Sequence, residues 1–318
     1  MIDVIIPAYN SHKTISQALF SLAYQSISDK LNVCIINDGS DKDYKEEIDF
    51  FKEFLKIREI KLEKNSGPGA ARQFGIENTN SEYIVFLDSD DILFDSFSLS
   101  VLYNSINGTE YDMCVSNVIE ETDAGFYLKE FNTIWLHGKI YRRKYIEDKK
   151  IKFDSIHLNE DDSFNQVLVL TDAKINYIEI TTYIWKNNKE SLTRKKMDCF
   201  DVKFYKDYID AIDWAIEEAI KKNGNKEKID ELLHASIYYL YFMYNENYNE
   251  PKINEVLSYT KKLLNRFKQA NISIERKMDL MQQQQEQTIG INRYVALFPN
   301  KTFEQYIELI EKMEDAND

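Results

Sequence analysis

Cysteine, histidine and proline are all scarce in this 318-residue chain, with three, four and four copies, and basic residues are outnumbered by acidic ones. Cys34, Cys114 and Cys199 stand far apart with no C-x-x-C pair. That excludes a disulfide framework and a zinc cluster and leaves three buried thiols as the expectation. His12, His137, His157 and His234 show no H-x-x-x-H spacing, so any metal is expected to be a hard ion on oxygen ligands. No apolar run reaches the roughly 18 to 20 residues of a membrane span, and the N-terminus MIDVIIPAYN lacks a basic leader region. The expected setting is the cytoplasm, with peripheral association at the inner membrane face left open. A formal net charge of -14 excludes the broad basic stripe that neutralises nucleic-acid phosphates. A small anion in a local basic pocket remains compatible with it.

What the chain does have is apolar surface, 43% hydrophobic residues with 21 Tyr and 18 Phe, which excludes a disordered chain. The length suits two domains. Over the first hundred residues short apolar runs alternate with helical patterns, the signature of βα units that build a parallel sheet. Ile2 to Ile6 reads as a central strand ended by Pro7, and Ile15, Ala18, Leu19 and Leu22 form a helical face behind Asn10 and Ser11 as N-cap candidates. Val33 to Ile36, Ile57 to Leu62 and Tyr83 to Leu87 are further strands, with helices over Tyr44 to Leu55 and Ala70 to Glu77. A turn is expected near Asp123 to Gly125 and a strand over Ile175 to Ile180. After about residue 200 the pattern is helical throughout, and the glutamine run 282 to 285 reads as a solvated helix or connector. The stretch SIYYLYFMYNENY (236 to 248) reads as core packing, with sugar stacking as the alternative.

The chemistry concentrates where strands end. FLDSDDILF (86 to 94) puts three carboxylates after a strand, and their repulsion calls for a compensating cation. If the segment is extended, residues i and i+2 point the same way, so Asp88 and Asp90 face one site and Ser89 turns from it. Oxygen ligands of this kind suit Mg²⁺ or Mn²⁺. Asp91 is then a third ligand or a supporting acceptor. Asp38, before Gly39, follows another strand end, where open α/β sheets bind ligands. Glu160-Asp161-Asp162 supplies candidates for a general base.

Four ordered stretches, VIIPAYN (4 to 10), INDGS (36 to 40), NSGPGAARQFGIE (65 to 77) and FLDSDD (86 to 91), with NEDDSF (159 to 164) downstream, resemble the inverting nucleotide-sugar glycosyltransferases of family 2. The resemblance covers roughly residues 1 to 195. It implies the GT-A fold, a Rossmann-like, mostly parallel sheet flanked by helices, as a catalytic domain over 1–198. An α-helical C-terminal domain over 199–318 would then bind acceptor or oligomerise. It further implies that Pro7, Ala8 and Tyr9 line the nucleotide pocket, that Asp38 meets a uracil edge, and that Gly69, Arg72, Asp88 and Ser89 also contact the nucleotide. Arg72, in a helix's first turn, would have an anion beside it. Asp90, with Asp88, would hold Mn²⁺ or Mg²⁺ on the diphosphate, Asp161 would be the base, and Glu160 would orient hydroxyls, with Asp162 the rival base. WLHGKIYRRKYI (135 to 146) brings His137 or Lys139 to the sugar, and YIWKNNKESLTR (183 to 194) brings Lys186, Ser191 and Arg194 to the diphosphate. Where some relatives place a histidine ligand, this chain has Trp185 and Lys186, leaving the third metal ligand open. The implied reaction is metal-dependent transfer from a UDP-sugar to a glycan or glycolipid hydroxyl in bacterial surface polysaccharide or teichoic acid synthesis. The alternatives are a non-catalytic glycan-binding module of the same fold and, less favoured for want of an N-terminal glycine loop, a sugar-phosphate nucleotidyltransferase.

Overall fold

The structure, a computed structural model, describes residues 1–131, 133–154, 159–189 and 200–313, with the backbone alone over 289–294. It divides into two compact units. One comprises residues 1–168 and 172–191, the other 169–171 and 192–318.

In the first unit the chain runs β1 (Ile2–Ala8), α1 (Ile15–Ala23), β2 (Leu31–Asn37), α2 (Lys45–Phe51), β3 (Lys56–Lys61), α3 (Pro68–Glu77), β4 (Tyr83–Phe86) and β5 (Ile92–Leu93). It continues through α4 (Ser98–Ile106), β6 (Met113–Thr122), β7 (Gly125–Lys129), β8 (Lys139–Arg142), α5 (Arg143–Asp148), α6 (Glu160–Leu170) and β9 (Ile175–Trp185). The strands form one sheet ordered β3-β2-β1-β4-β8-β6-β9-β5, with β7 hairpinned on β6. The β3-β2-β1-β4 half is parallel and its far half is mixed, with β8 antiparallel to both neighbours and β6 parallel to β9. This is the mostly parallel, helix-flanked sheet expected from the sequence. Every residue of β1 is buried because helices cover both faces of a central parallel strand.

β1 extends one residue past the expected stop at Pro7, to Ala8. Proline is tolerated there because β4 pairs with β1 only as far as Ile5, so one edge of the strand is free at Pro7. Helix α1 starts later than expected, with Thr14 at its N-cap, while Asn10 takes a left-handed backbone at φ 51°. Gly75 seats α3 on the sheet, since a Cβ there would stand 2.5 Å from Ile5 Cγ2.

The second unit holds α7 (Val202–Lys221), α8 (Lys226–Glu246), α9 (Ile253–Phe267), α10 (Ile274–Leu297) and α11 (Phe303–Lys312). Pro251 and Pro299 fall between helices as expected. The glutamine run lies inside α10. Tyr238, Tyr241 and Tyr244, spaced three apart on α8, are buried among Phe303 and Tyr306, so these rings of the Tyr-rich stretch are core. No helix among the described residues is long and apolar enough to cross a membrane.

Candidate active site

The site grows from the carboxyl ends of β1, β2 and β4, where parallel strands leave backbone and loop side chains unpaired. Pro7 and Ala8 are buried and can offer only backbone, whereas Tyr9 is 50% exposed. Beyond β2, Asn37 Oδ1 accepts the Ser40 amide at 2.8 Å, and Ser40 Oγ accepts that of Asn10 at 2.9 Å, tying two strand ends together. Gly39 has φ +72°, and a Cβ there would meet the Lys64 carbonyl carbon at 2.5 Å, so only glycine lets the 64–67 segment approach. The buried carboxylate of Asp38 holds that segment, its Oδ1 accepting the Ser66 amide at 2.8 Å and its Oδ2 that of Gly67 at 2.9 Å. Burial pushes the Asp38 carboxyl up against the pull of these two bonds. Both its oxygens are thus engaged in shaping the turn ahead of α3.

Residues 88–91 are not extended. The Asp91 amide donates to the Asp88 carbonyl at 3.1 Å, closing a four-residue turn. The turn adds Asp91, three residues on, to the Asp88 and Asp90 that strand alternation groups. Asp91 is 1% exposed, accepting from Tyr183 Oη at 2.8 Å and from the Lys186 amide at 2.8 Å. Asp90 Oδ2 accepts from Asn188 Nδ2 at 2.8 Å, and Ser89 Oγ donates to Ser11 Oγ at 2.8 Å. The acidic turn therefore also organises the chain that leaves β9.

Arg72, 5% exposed on α3, forks between two acids, Nη2 reaching Asp88 Oδ1 and Nη1 reaching Glu160 Oε1, each at 2.6 Å. The anion expected beside Arg72 is thus a pair of the protein's own carboxylates. A guanidinium presents such donors in a rigid plane, which fixes both partners. Gly69, one turn earlier on α3, makes room for the bridge, because a Cβ there would lie 2.9 Å from Glu160 Cγ. The fork holds the end of β4 and the start of α6 in register.

His137 precedes β8, stacked on Tyr183 at 4.7 Å and 18°. Its Nε2 stands 3.4 Å from Asp88 Oδ2 and 3.6 Å from Asp91 Oδ2. Gly138, at φ +64°, turns the chain here and abuts Ser116. Lys139, 1% exposed, donates to the carbonyls of Trp135 and His137 and so pins the same bend. Burial pulls the Lys139 ammonium down to about 7, opposed by Asp161. Trp135 and Trp185 lie ring to ring at 5.1 Å beside His137. Lys186 pairs with Glu121 at 2.7 Å. Ser191 and Arg194 lie outside the described residues.

At the head of α6 the three acids differ. Asp162 is buried, and burial with the neighbouring Asp161 pushes it up to about 7. Glu160 is pushed up by burial, the largest effect, and by Asp161, which together outweigh the downward pull of Arg72. Asp88, which also has His137 beside it, is held low despite its burial by Arg72 and His137. Asp161 is partly exposed, and its one hydrogen bond among the described residues comes from the Asp162 amide at 2.9 Å. Burial raises its carboxyl; Arg72 and His137 lower it, and Asp88 raises it, so all three act on it electrostatically. A raised, accessible carboxylate near a cation is suited to taking a proton.

The donor set fits a divalent cation. Ligand atoms of Asp88, Asp91 and His137 lie within 4.8 Å of one another. Burial and the mutual repulsion of the three aspartates raise Asp90 and Asp91, an arrangement that a positive charge relieves. Tyr183, which holds Asp91 and carries His137, was missed in the sequence because nothing local marks a tyrosine 92 positions downstream as a partner of the acidic turn.

Residues 3–161 match the family described as Glycosyl transferase family 2. Among curated proteins, the chain is 29% identical over 225 residues to glycosyltransferase GlyA of Streptococcus pneumoniae, covering 61% of this chain and 31% of that one. It is 26% identical over 204 residues to the poly(ribitol-phosphate) beta-N-acetylglucosaminyltransferase TarS of Staphylococcus aureus, covering 59% and 36%. The chain thus spans about a third of the length of these relatives. The crystal structure of S. aureus TarS 1-349 in complex with UDP-GlcNAc superposes with a TM-score of 0.65 at 20% identity, over 98% of this chain and 90% of that one. A mannosyltransferase from Pyrobaculum calidifontis in complex with GDP-Man and Mn²⁺ gives 0.57 at 14%, over 98% and 85%. These two likenesses establish the shared fold.

Proposed function

The chain belongs to glycosyl transferase family 2, and we propose that it transfers a sugar from a UDP-sugar donor to a hydroxyl of a glycan or glycolipid acceptor with inversion at C1. The observation that carries this reading is the Arg72 fork, which joins the acidic turn after β4 to the acids heading α6. It sets a cation-compatible group and a proton acceptor side by side, the two parts a single displacement needs.

In this reading the exposed ring of Tyr9 and the backbone of Pro7 and Ala8 line the nucleotide site. Asp38 acts there by presenting the turn at 65–67, with Gly69 and Ser89 adding close backbone and hydroxyl contacts. Asp88 and Asp90 hold Mg²⁺ or Mn²⁺, which when bound offsets the charge of the departing diphosphate. Asp161 accepts the proton of the acceptor hydroxyl as that oxygen attacks C1 opposite the leaving group. Glu160, fixed by Arg72, orients a hydroxyl near it. One carboxylate suffices, because no covalent sugar ester forms. The UDP assignment draws on TarS, solved with UDP-GlcNAc, and the surface-polymer setting on TarS and on the minor teichoic acid biosynthesis protein GgaA of Bacillus subtilis, 29% identical over 230 residues. The helical unit is assigned to acceptor binding or self-association, and the setting to the cytoplasmic side of the membrane.

Calorimetric titration of UDP and GDP with Mn²⁺, and again with EDTA, tests the reading. Metal-dependent uptake of UDP in preference to GDP is expected. Uptake of GDP alone removes the uridine assignment, and binding of neither nucleotide favours a non-catalytic glycan-binding module.

A further inference from the structure

We propose that the face shared by β7, β6 and β9 beyond the acidic turn is an acceptor subsite for a neutral pyranose glycan of at least two rings, one lying against Trp185 and Trp135 and the next against Tyr127. The inference deepens the reading above and rests on transfer to an acceptor at this site.

Strand register carries it. Glu120 of β6 pairs with Trp185 of β9 on one side and with Tyr127 of β7 on the other. Residues directly opposite on neighbouring strands project to one face, so the indole, the carboxylate and the phenol stand side by side. The same face holds Tyr183, two residues before Trp185, whose hydroxyl donates to Asp91 at 2.8 Å. The row therefore starts beside the acidic turn and leads outward along the hairpin. Trp185 and Tyr127 lie two strands apart, about 9.5 Å at the backbone, a span wider than one six-membered ring.

The rings supply a second observation. Trp135 comes from the bend before β8 to lie 5.1 Å from Trp185 at 59°, so two half-buried indoles form an angled wall. That wall is held from behind. Buried Asn165 donates to the Ile134 carbonyl at 2.6 Å and to that of Trp135 at 3.1 Å, and Lys139 donates to the Trp135 carbonyl as well. At the outer end Tyr127 is 48% exposed. Aromatic faces on rigid strands cover the apolar C–H face of a pyranose, and a carboxylate between them accepts from hydroxyls at the ring's edge.

Charge names the class. Each of three lysines around the row has an acid beside it: Lys129 has Glu120 at 3.1 Å, Lys186 has Glu121 at 2.7 Å and Lys189 has Asp123 at 2.9 Å. A phosphate-bearing acceptor calls for cations that are not already neutralised, and an acyclic polyol offers no flat face for an aromatic ring to cover. The row thus favours a neutral ring sugar over a polyol phosphate of the kind named for TarS. Position makes it an acceptor subsite, because Tyr9 and Asp38 follow β1 and β2, and the row lies across β4 and β8 from them in the strand order.

Saturation-transfer NMR on the intact 318-residue chain, with and without UDP and Mg²⁺, tests the assignment with glucose, cellobiose, maltose, lactose and ribitol phosphate as probes. At least one disaccharide is expected to bind more tightly than glucose, and ribitol phosphate more weakly than either. Tyr127→Ala should weaken that disaccharide roughly threefold to tenfold and leave glucose unchanged. Phe126→Ala, 68% exposed beside it on the opposite face, should change neither. Trp185→Leu should weaken both sugars; should it fail to fold, the exposed Tyr127 position carries the test. Ribitol phosphate binding more tightly than every ring sugar, no ring sugar binding, or equal losses in Tyr127→Ala and Phe126→Ala overturns the inference. A chain with the expected sugar pattern that takes up no UDP keeps the glycan site and removes the transfer reading. One that transfers from a UDP-sugar with no dependence on Tyr127 keeps that reading and removes this inference.

Discussion

Arg72 and Glu160, 88 positions apart in sequence, meet at 2.6 Å between Nη1 and Oε1, with the other arm of the guanidinium on Asp88. Three segments distant in the chain, α3, the acidic turn and the head of α6, are thereby locked to one planar group. The bridge is buried, so its removal leaves two carboxylates without their counter-charge.

Arg72→Ala is therefore expected to cost about 3 to 5 kcal/mol of unfolding free energy, the range for breaking a buried ion pair. Arg72→Lys keeps the charge and loses the fork, and should unfold between the two. Chemical denaturation of the three proteins checks the order.

Asp161→Asn keeps the shape of the α6 terminus and removes the proton acceptor. Donor binding measured by calorimetry should be unchanged, while transfer falls by about 10² to 10⁴, the usual contribution of a general base. Undiminished transfer in this variant reassigns the base.

Two pH effects follow from the acids at α6. Burial raises Asp161, so the acid limb of transfer should lie above the ordinary aspartate range of about 3.9. Asp162 ionises near 7 in the folded chain, according to its shift to about 7, and near 4 when unfolded. Between those values the folded state holds the extra proton, so stability should fall as pH rises from about 4 to about 7. Asp162→Asn should flatten that slope in thermal melts across the interval.

Two glycines of α3 predict different outcomes. A Cβ on Gly75 meets Ile5 Cγ2 at 2.5 Å inside the core, so Gly75→Ala should destabilise by about 1 to 3 kcal/mol through overpacking. A Cβ on Gly69 instead meets Glu160 Cγ at 2.9 Å, so Gly69→Ala should displace Glu160 from Arg72 and lower transfer more than stability. Denaturation and transfer assays run on both variants separate the two effects.

What the sequence determined by itself was local and periodic. The run Ile2 to Ile6, the glycine and proline punctuation at 67–69 and the amphipathic faces beyond residue 200 read correctly, because burial on both faces, turn chemistry and a 3.6-residue repeat are each written in neighbouring residues. The Tyr-rich stretch read as core for the same reason. The strand ends also located the acids, since every candidate from Asp38 to Asp90 follows a parallel strand. What only the tertiary structure decided was which group each of them meets. Strand alternation grouped Asp88 with Asp90, and the closed turn adds Asp91 to that group. Arg72 looked like a cation awaiting a ligand until α6 brought Glu160 to it. Tyr183 and His137 reach the acidic turn from β9 and from the bend before β8. These partners lie 49 to 95 positions from the turn. Hydrogen bonds and ion pairs act over a few ångströms in space, and a linear pattern carries no record of contacts that sheet closure makes across such distances.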